Sequence, residues 1–334
     1  MILPLLVSML SALAAPGSPA AHARPAPVAH TFSIVARDPQ TGELGVAVQS
    51  HYFSVGAAVP WAEAGVGAVA TQSLVLVDYG PNGLTLMRKG FTARQALDSL
   101  LKADAHNEGR QVAMVDAQGN VATHTGKGCI PSAGHRSGAG YSVQANLMVN
   151  DKVWPAMAEA YEKSSGDLAE RMLQALEAAQ RAGGDARGRQ SAALVVVKAK
   201  NSGKPWEDRI FDLRVEDSPE PIQELRRLVR LRRAYLLEDQ GDNFISEKKP
   251  AEALQAYEDA MKLAPEVTEL AFWAAVSMYT NGREPEALKL FKGVFAKEHR
   301  WVDLVPNLVP AGLFPNDPKK VAEVQAAQTP GAPW

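Results

Sequence analysis

The sequence predicts an α+β protein: two packed β-sheets with helices on both outer faces, a four-layer αββα sandwich, and then a separate all-helical region. Three observations carry this. Strand-like runs come in antiparallel clusters rather than alternating one by one with helices. The runs are nearly continuous in apolar residues, as strands covered on both faces are. Beyond Pro221 the composition turns charged, and a short motif recurs after 34 residues.

The first cluster is His30–Ser50, HTFSIVARDPQTGELGVAVQS. Two short runs, Thr31–Ala36 and Leu44–Val48, flank a turn at Pro39-Gln40-Thr41-Gly42, which reads as a β-hairpin. A strand follows at Gly65–Thr71, rich in the small residues that let a second sheet approach closely. Tyr79-Gly80-Pro81 turns into Gly83–Lys89, and Thr92 caps a helix at Ala93–Ala103 with Ala96, Leu97, Leu100 and Leu101 on one face. Gln111–Asp116 and Val121–Thr125 form a second hairpin around Gln118-Gly119-Asn120. A loop over Gly126–Gly140 leads to a strand at Tyr141–Leu147. Helices at Val153–Lys163 and Asp167–Arg181 stop at Gly183-Gly184. Strands at Ser191–Lys198 and Ile210–Val215 close the domain, set at residues 31–218.

The helical region is set at residues 221–314. Glu224–Glu238 is a charged helix, and Ala253, Leu254 and Tyr257 reappear as Ala287, Leu288 and Phe291, the tetratricopeptide spacing. Gly241, Phe244, Ala253, Tyr257, Ala260 and Pro265 fit the small, aromatic and proline positions of one such repeat. Two repeats are fewer than such arrays need, so Glu224–Glu238 is expected to pack as an extra helix. The array offers a groove for a protein partner. The tail, 315–334, is expected to be disordered.

With 334 residues, 46% apolar and 22% charged, the chain has material for roughly two ordinary globular domains. A net charge of −2 gives no reason to expect nucleic acid or an anionic membrane as partner. The apolar run Ile2–Ala15, too short to span a bilayer, and the small residues of Ala21-His22-Ala23 read as a signal peptide over 1–23. The absence of Lys or Arg before the run departs from that pattern. Residues 24–30 become a linker or propeptide, and the expected location is periplasmic or secreted. Cys129 is the one cysteine, so no internal disulfide forms, and no cysteine near the cleavage site carries a lipid. It reads as a small packed residue.

No nucleophile elbow, zinc-binding helix or phosphate loop occurs, and the seven His lack ligand spacing. No cofactor and no metal are expected. Attention falls on Thr31. A hydroxyl at the head of a buried strand, behind removable residues, is what N-terminal-nucleophile chemistry requires. Once exposed, the residue's own α-amine, with a pKa of about 7.7–8.0, serves as the base. A strand threonine with no further role is the competing reading. Centring the hairpin between Gln40 and Thr41 sets Thr31 opposite Ser50, with Gln49 and His51 beside it, unless the register slips. Asp38 lies about 23 Å along the strand and reads as a turn residue. Asn146 is the candidate oxyanion donor, or else a turn residue. Gln72 and Ser73 are candidate walls of the site. Asp185 and Arg187 either bind substrate or pair with each other.

Thr31–Asp38 (TFSIVARD), Gly45–Gly56, Val59–Ser73, Thr125–Gly138 and Ala182–Leu194 (AGGDARGRQSAAL) together resemble the bacterial and archaeal family catalogued as domain of unknown function 1028. The resemblance covers about Thr31 to Arg232. It implies an N-terminal-nucleophile-hydrolase-like αββα fold, with no activity established for the family; an exported amidohydrolase acting on a small amide or peptide-like substrate is the functional expectation. Members often carry Met directly before the Thr-Phe-Ser motif, whereas His30 stands here. Asn146 follows Ala145 where the family pattern has Gly. Some members end in an extension proposed to bind peptidoglycan, and this chain has repeat-like helices instead. Non-catalytic ligand or partner binding on the same scaffold stays open, as does a homo-oligomer.

Overall fold

The computed structural model of the chain describes residues 28–29 and 31–328. The signal peptide read at 1–23, most of the linker at 24–30 and the end of the tail lie outside the described residues.

The first hairpin is the spine. Strands β2 (Thr31–Arg37) and β3 (Leu44–Ser50) follow a two-residue strand, β1 (Val28–Ala29). Asp38 makes the turn between β2 and β3. Its carboxylate accepts the N–H groups of Gln40 at 2.8 Å and Thr41 at 2.9 Å and pairs with Arg171. These donors and the Arg171 charge outweigh its burial and hold its pKa below the usual value. The resulting register places Thr31 opposite Ser50.

Next come β4 (Pro60–Glu63), β5 (Gly67–Leu74), α1 (Tyr79–Arg88), α2 (Ala93–Ala103), β6 (Arg110–Asp116), β7 (Val121–Thr125), β8 (Gly134–Gly138), β9 (Tyr141–Ala145), α3 (Val153–Lys163), α4 (Leu168–Arg181), β10 (Ser191–Val197) and β11 (Arg209–Val215). All pairings are antiparallel. One sheet runs β11-β10-β3-β2-β9-β8, the other β1-β5-β6-β7 with β4 also on β5. The apolar runs are continuous because alternate residues serve two cores. From β2, Val35 meets Val48, Ala70 and Val115 between the sheets, whereas Ile34 meets Met157, Met172 and Leu176 of α3 and α4. On the outer face of the other sheet, Val69, Val112 and Met114 pack against Tyr79 of α1 and Leu97 of α2.

Several elements differ from the expectation. Helix α1 starts at Tyr79, not after Pro81, because a first-turn proline needs no donor there. Gly80 lets Trp61 lie flat on that turn; a Cβ there would sit 2.3 Å from the indole. The loop after Gly126 holds β8, and β4 precedes Gly65. Both are short strands with few buried apolar side chains, and their patterns are weak.

Helix α5 (Pro221–Ser246) is far longer than the expected charged helix. Its first turns belong to the first core, through Ile222, Leu225 and Val229, and its end belongs to the helical region. There α6 (Pro250–Leu263), α7 (Thr268–Thr280) and α8 (Glu284–Lys297) enclose Tyr257, Phe272, Tyr279, Phe291 and Phe295. Gly241 faces the Tyr257 ring so closely that a Cβ would lie 2.3 Å away. After α9 (Arg300–Leu304), the stretch expected to be disordered carries α10 (Pro318–Gln325), capped by Asp317 and anchored by buried Val324.

Glu238 of α5 yields a pH prediction. Burial, and then the charges of Asp242, Asp239 and Glu269, push its pKa up to about 7. Between pH 4.5 and 7 the folded chain therefore binds more protons than the unfolded one, and stability falls as pH rises through that window. The Tm of Glu238→Gln is expected to depend less on pH between 5 and 7.5 than that of the parent chain. Equal slopes would contradict this.

Candidate functional site

The layer between the sheets is apolar at one end and polar at the other. At the polar end, β2 begins, β3 and β5 finish, and β6 and β10 start. Thr31, Ser33, Ser50, Gln72, Gln111, Gln144, Asn146 and Ser191 are all fully buried there. Buried polar groups on this scale require a closed set of hydrogen bonds.

Gln111 supplies the hub. Its side-chain carbonyl accepts Gln72 Nε2 at 2.7 Å and Asn146 Nδ2 at 2.9 Å. Its amide nitrogen donates to the Ala145 carbonyl and to Thr125 Oγ1, both at 2.9 Å, and to the Gly134 carbonyl at 3.2 Å. Gln72 in turn accepts the Ser33 hydroxyl at 2.6 Å, and Gln144 Nε2 donates to Ser33 at 2.6 Å.

Thr31 sits at the mouth of this network. Its hydroxyl donates to Ser50 Oγ at 3.1 Å. Its carbonyl accepts both the Asn146 backbone N–H and Gln72 Nε2 at 3.1 Å. The residue is thereby fixed from three elements: β3, β5 and the end of β9. Immediately upstream, β1 pairs with β5 in the other sheet, Val28 opposite Leu74 and Ala29 opposite Ser73. The chain crosses from one sheet to the other between Ala29 and Thr31. The last described residues of the stretch read as a linker or propeptide are thus strand-paired.

Backbone strain gathers at the same end. Among the described residues, Ser54, Ser73, Leu147 and Lys248 are the non-glycine residues at positive φ. The first three lie beside Ser191, at the end of β5 and directly after Asn146. Such conformations cost about 1–3 kcal/mol each and persist where surroundings over-determine them. The Cys129 thiol, nearby, donates to the Arg110 carbonyl at 3.4 Å. Burial pushes its pKa up, and a raised thiol pKa is that of an inert packed cysteine.

His51, Asp185 and Arg187 form an adjoining group. Asp185 accepts the His51 backbone N–H at 3.0 Å and holds Arg187 through Nη2 at 2.7 Å and Nε at 3.1 Å. The His51 ring passes close to Gly188, where a Cβ would lie 3.5 Å from its Cδ2. Asp185 thus ties the chain before β10 to the end of β3. Gln111, Gln144, Ser33 and Ser191 escaped the sequence reading. A polar residue at an inward position of an apolar strand, as in Gln111-Val112-Ala113, is the signal each carries. Among the described residues no group of His, Cys, Asp and Glu is arranged to hold a metal ion, and no helix is long and apolar enough to cross a membrane.

Comparison with curated proteins returns no match. A crystal structure of protein SPO2555 from Silicibacter pomeroyi, described under the DUF1028 family, is similar at 30% identity and a TM-score of 0.55. The match covers 60% of this chain and 88% of that one. The family model described as a family of unknown function, DUF1028, matches residues 31–225, more than half of the chain, and begins at Thr31 itself. This chain belongs to the DUF1028 family.

Proposed function

We propose that the chain is an exported N-terminal-nucleophile amidohydrolase on an αββα scaffold, with tetratricopeptide-like helices as a docking module. The observation that carries this reading is the setting of Thr31: first residue of a central strand, hydroxyl 3.1 Å from Ser50, carbonyl held by two donors. The Asn146 N–H bond continues the strand ladder, and the Gln72 and Ser50 side-chain contacts are what an ordinary strand threonine does not need.

Maturation cuts the His30–Thr31 bond. Either the Thr31 hydroxyl attacks the preceding carbonyl, displacing its own amide nitrogen to give an ester that water hydrolyses, or another protease cuts. In turnover Thr31 Oγ attacks a substrate amide carbonyl and its proton passes through the α-amine to the leaving nitrogen. Water then hydrolyses the ester and restores the hydroxyl. Asn146 stabilises the oxyanion, Ser50 and His51 orient the amine or the water, Gln72 and Ser73 form the wall, and Asp185 with Arg187 shapes the rim. Substrates are small amides or peptides. The test is release of amine from a panel of aminoacyl amides by protein from the exported fraction. Release that persists in Thr31→Ala ends the reading.

A second reading, non-catalytic partner binding, is favoured by a groove of about 220 Å³ between α6, α7 and α8, lined by Met261, Ala271 and Leu290 with Lys289 at its rim. Its test is loss of a captured partner on truncation after Ser246. Cutting at Pro221 would remove Ile222, Leu225 and Val229 from the first core and destroy both parts at once.

A further inference from the structure

Strand β5 has two edges. Along one it pairs with β6 from Gly67 to Ser73. Along the other, β4 covers Gly67 to Ala70, the Thr71 N–H donates to the Val59 carbonyl at 3.2 Å, and beyond that Val28–Ala29 pairs with it at Ser73 and Leu74. The paired residues, Val28 and Ala29, lie ahead of Thr31, where the family match begins. They do what a peptide ligand does when it adds to a sheet edge, using backbone hydrogen bonds for affinity.

We propose that the β5 edge at Ser73–Leu74 is the acyl-side binding site for an extended peptide, and that the leader is its built-in occupant. The covalent connection fixes the register. The residue after Ala29 is the one whose carbonyl is bonded to the Thr31 nitrogen. Any peptide following the path of Val28–Ala29 therefore delivers the carbonyl of its next residue to Thr31. The substrate class is an extended peptide acyl donor whose second and third residues before the scissile bond lie opposite Ser73 and Leu74. The left-handed backbone of Ser73, φ +74°, ends the β6 ladder at this point and turns the edge toward the incoming strand. The choice of substrate rests on Thr31 being the nucleophile; the binding edge does not.

Hydrogen exchange separates the two. In the Thr31→Ala chain shown by intact mass to carry residues 24–30, amides over residues 71–74 are expected to exchange at least about tenfold more slowly than in the same chain with Val28→Pro and Ala29→Pro. Exchange over Val112–Met114 stays the same and reports the fold. If the prolines loosen that region too, deletion of residues 1–29 replaces them. A synthetic peptide PAPVAH added to the loosened chain restores slow exchange at 71–74, and the same peptide N-methylated at its Val and Ala does not. Equal exchange with and without the paired leader, no restoration by either peptide, or restoration by both overturns the edge site. Loss of turnover in Thr31→Ala is read separately, so either idea can fail while the other stands.

Discussion

Replacement of Thr31 by Ala is expected to lower amide turnover by at least about 10³-fold, because the proposed mechanism needs a hydroxyl and an α-amine on the same residue. Ser50 is the nearest hydroxyl, but its partner is Thr31 itself and it carries no α-amine. The fold should survive. The substitution removes the hydroxyl's bond to Ser50 and a methyl group from a buried site, about 1–2 kcal/mol together. Circular dichroism and thermal melting of the variant should show a single modest fall in Tm. A variant that unfolds would mean that Thr31 serves the network, and one that keeps its turnover would mean that it serves no chemistry.

The second large effect concerns stability. Gln111→Leu keeps the volume but removes the acceptor for Gln72 and Asn146, and the donor for Thr125, Gly134 and Ala145. Gln72 and Asn146 are fully buried, and each hydrogen bond lost to them costs about 1–3 kcal/mol. A total loss of about 3–5 kcal/mol is expected, read as a lower urea midpoint at unchanged m. A loss below 1 kcal/mol would show that the amide ring is not the support of the site.

The two substitutions differ in how visible their targets were beforehand. Thr31 and Ser50 could be paired from sequence because a short turn centred on Gln40 and Thr41 fixes the register of everything before and after it. Asp38 could be set aside for the same reason, and the structure places it in the turn. Gln111 left little trace. Its partners lie 39 and 35 residues away, and only the folded sheets bring them together. The strand β8 was missed because its exposed Gly-His-Arg-Ser-Gly has no apolar face, and β1 because a proline-rich leader reads as unstructured. The length of α5 was hidden by its double duty. One end is buried in the first core and the other in the helical region, so no single amphipathic stripe runs along it.

The mature N-terminus tests the central proposal most directly. Signal peptidase acting after Ala23 leaves seven residues ahead of Thr31, and with them attached Thr31 has an amide and no built-in base. Intact-mass measurement of protein from the exported fraction should give a chain that starts at Thr31, whereas Thr31→Ala retains the leader if the cut is self-made. A functional protein whose mass begins at Arg24 would contradict the free-amine mechanism.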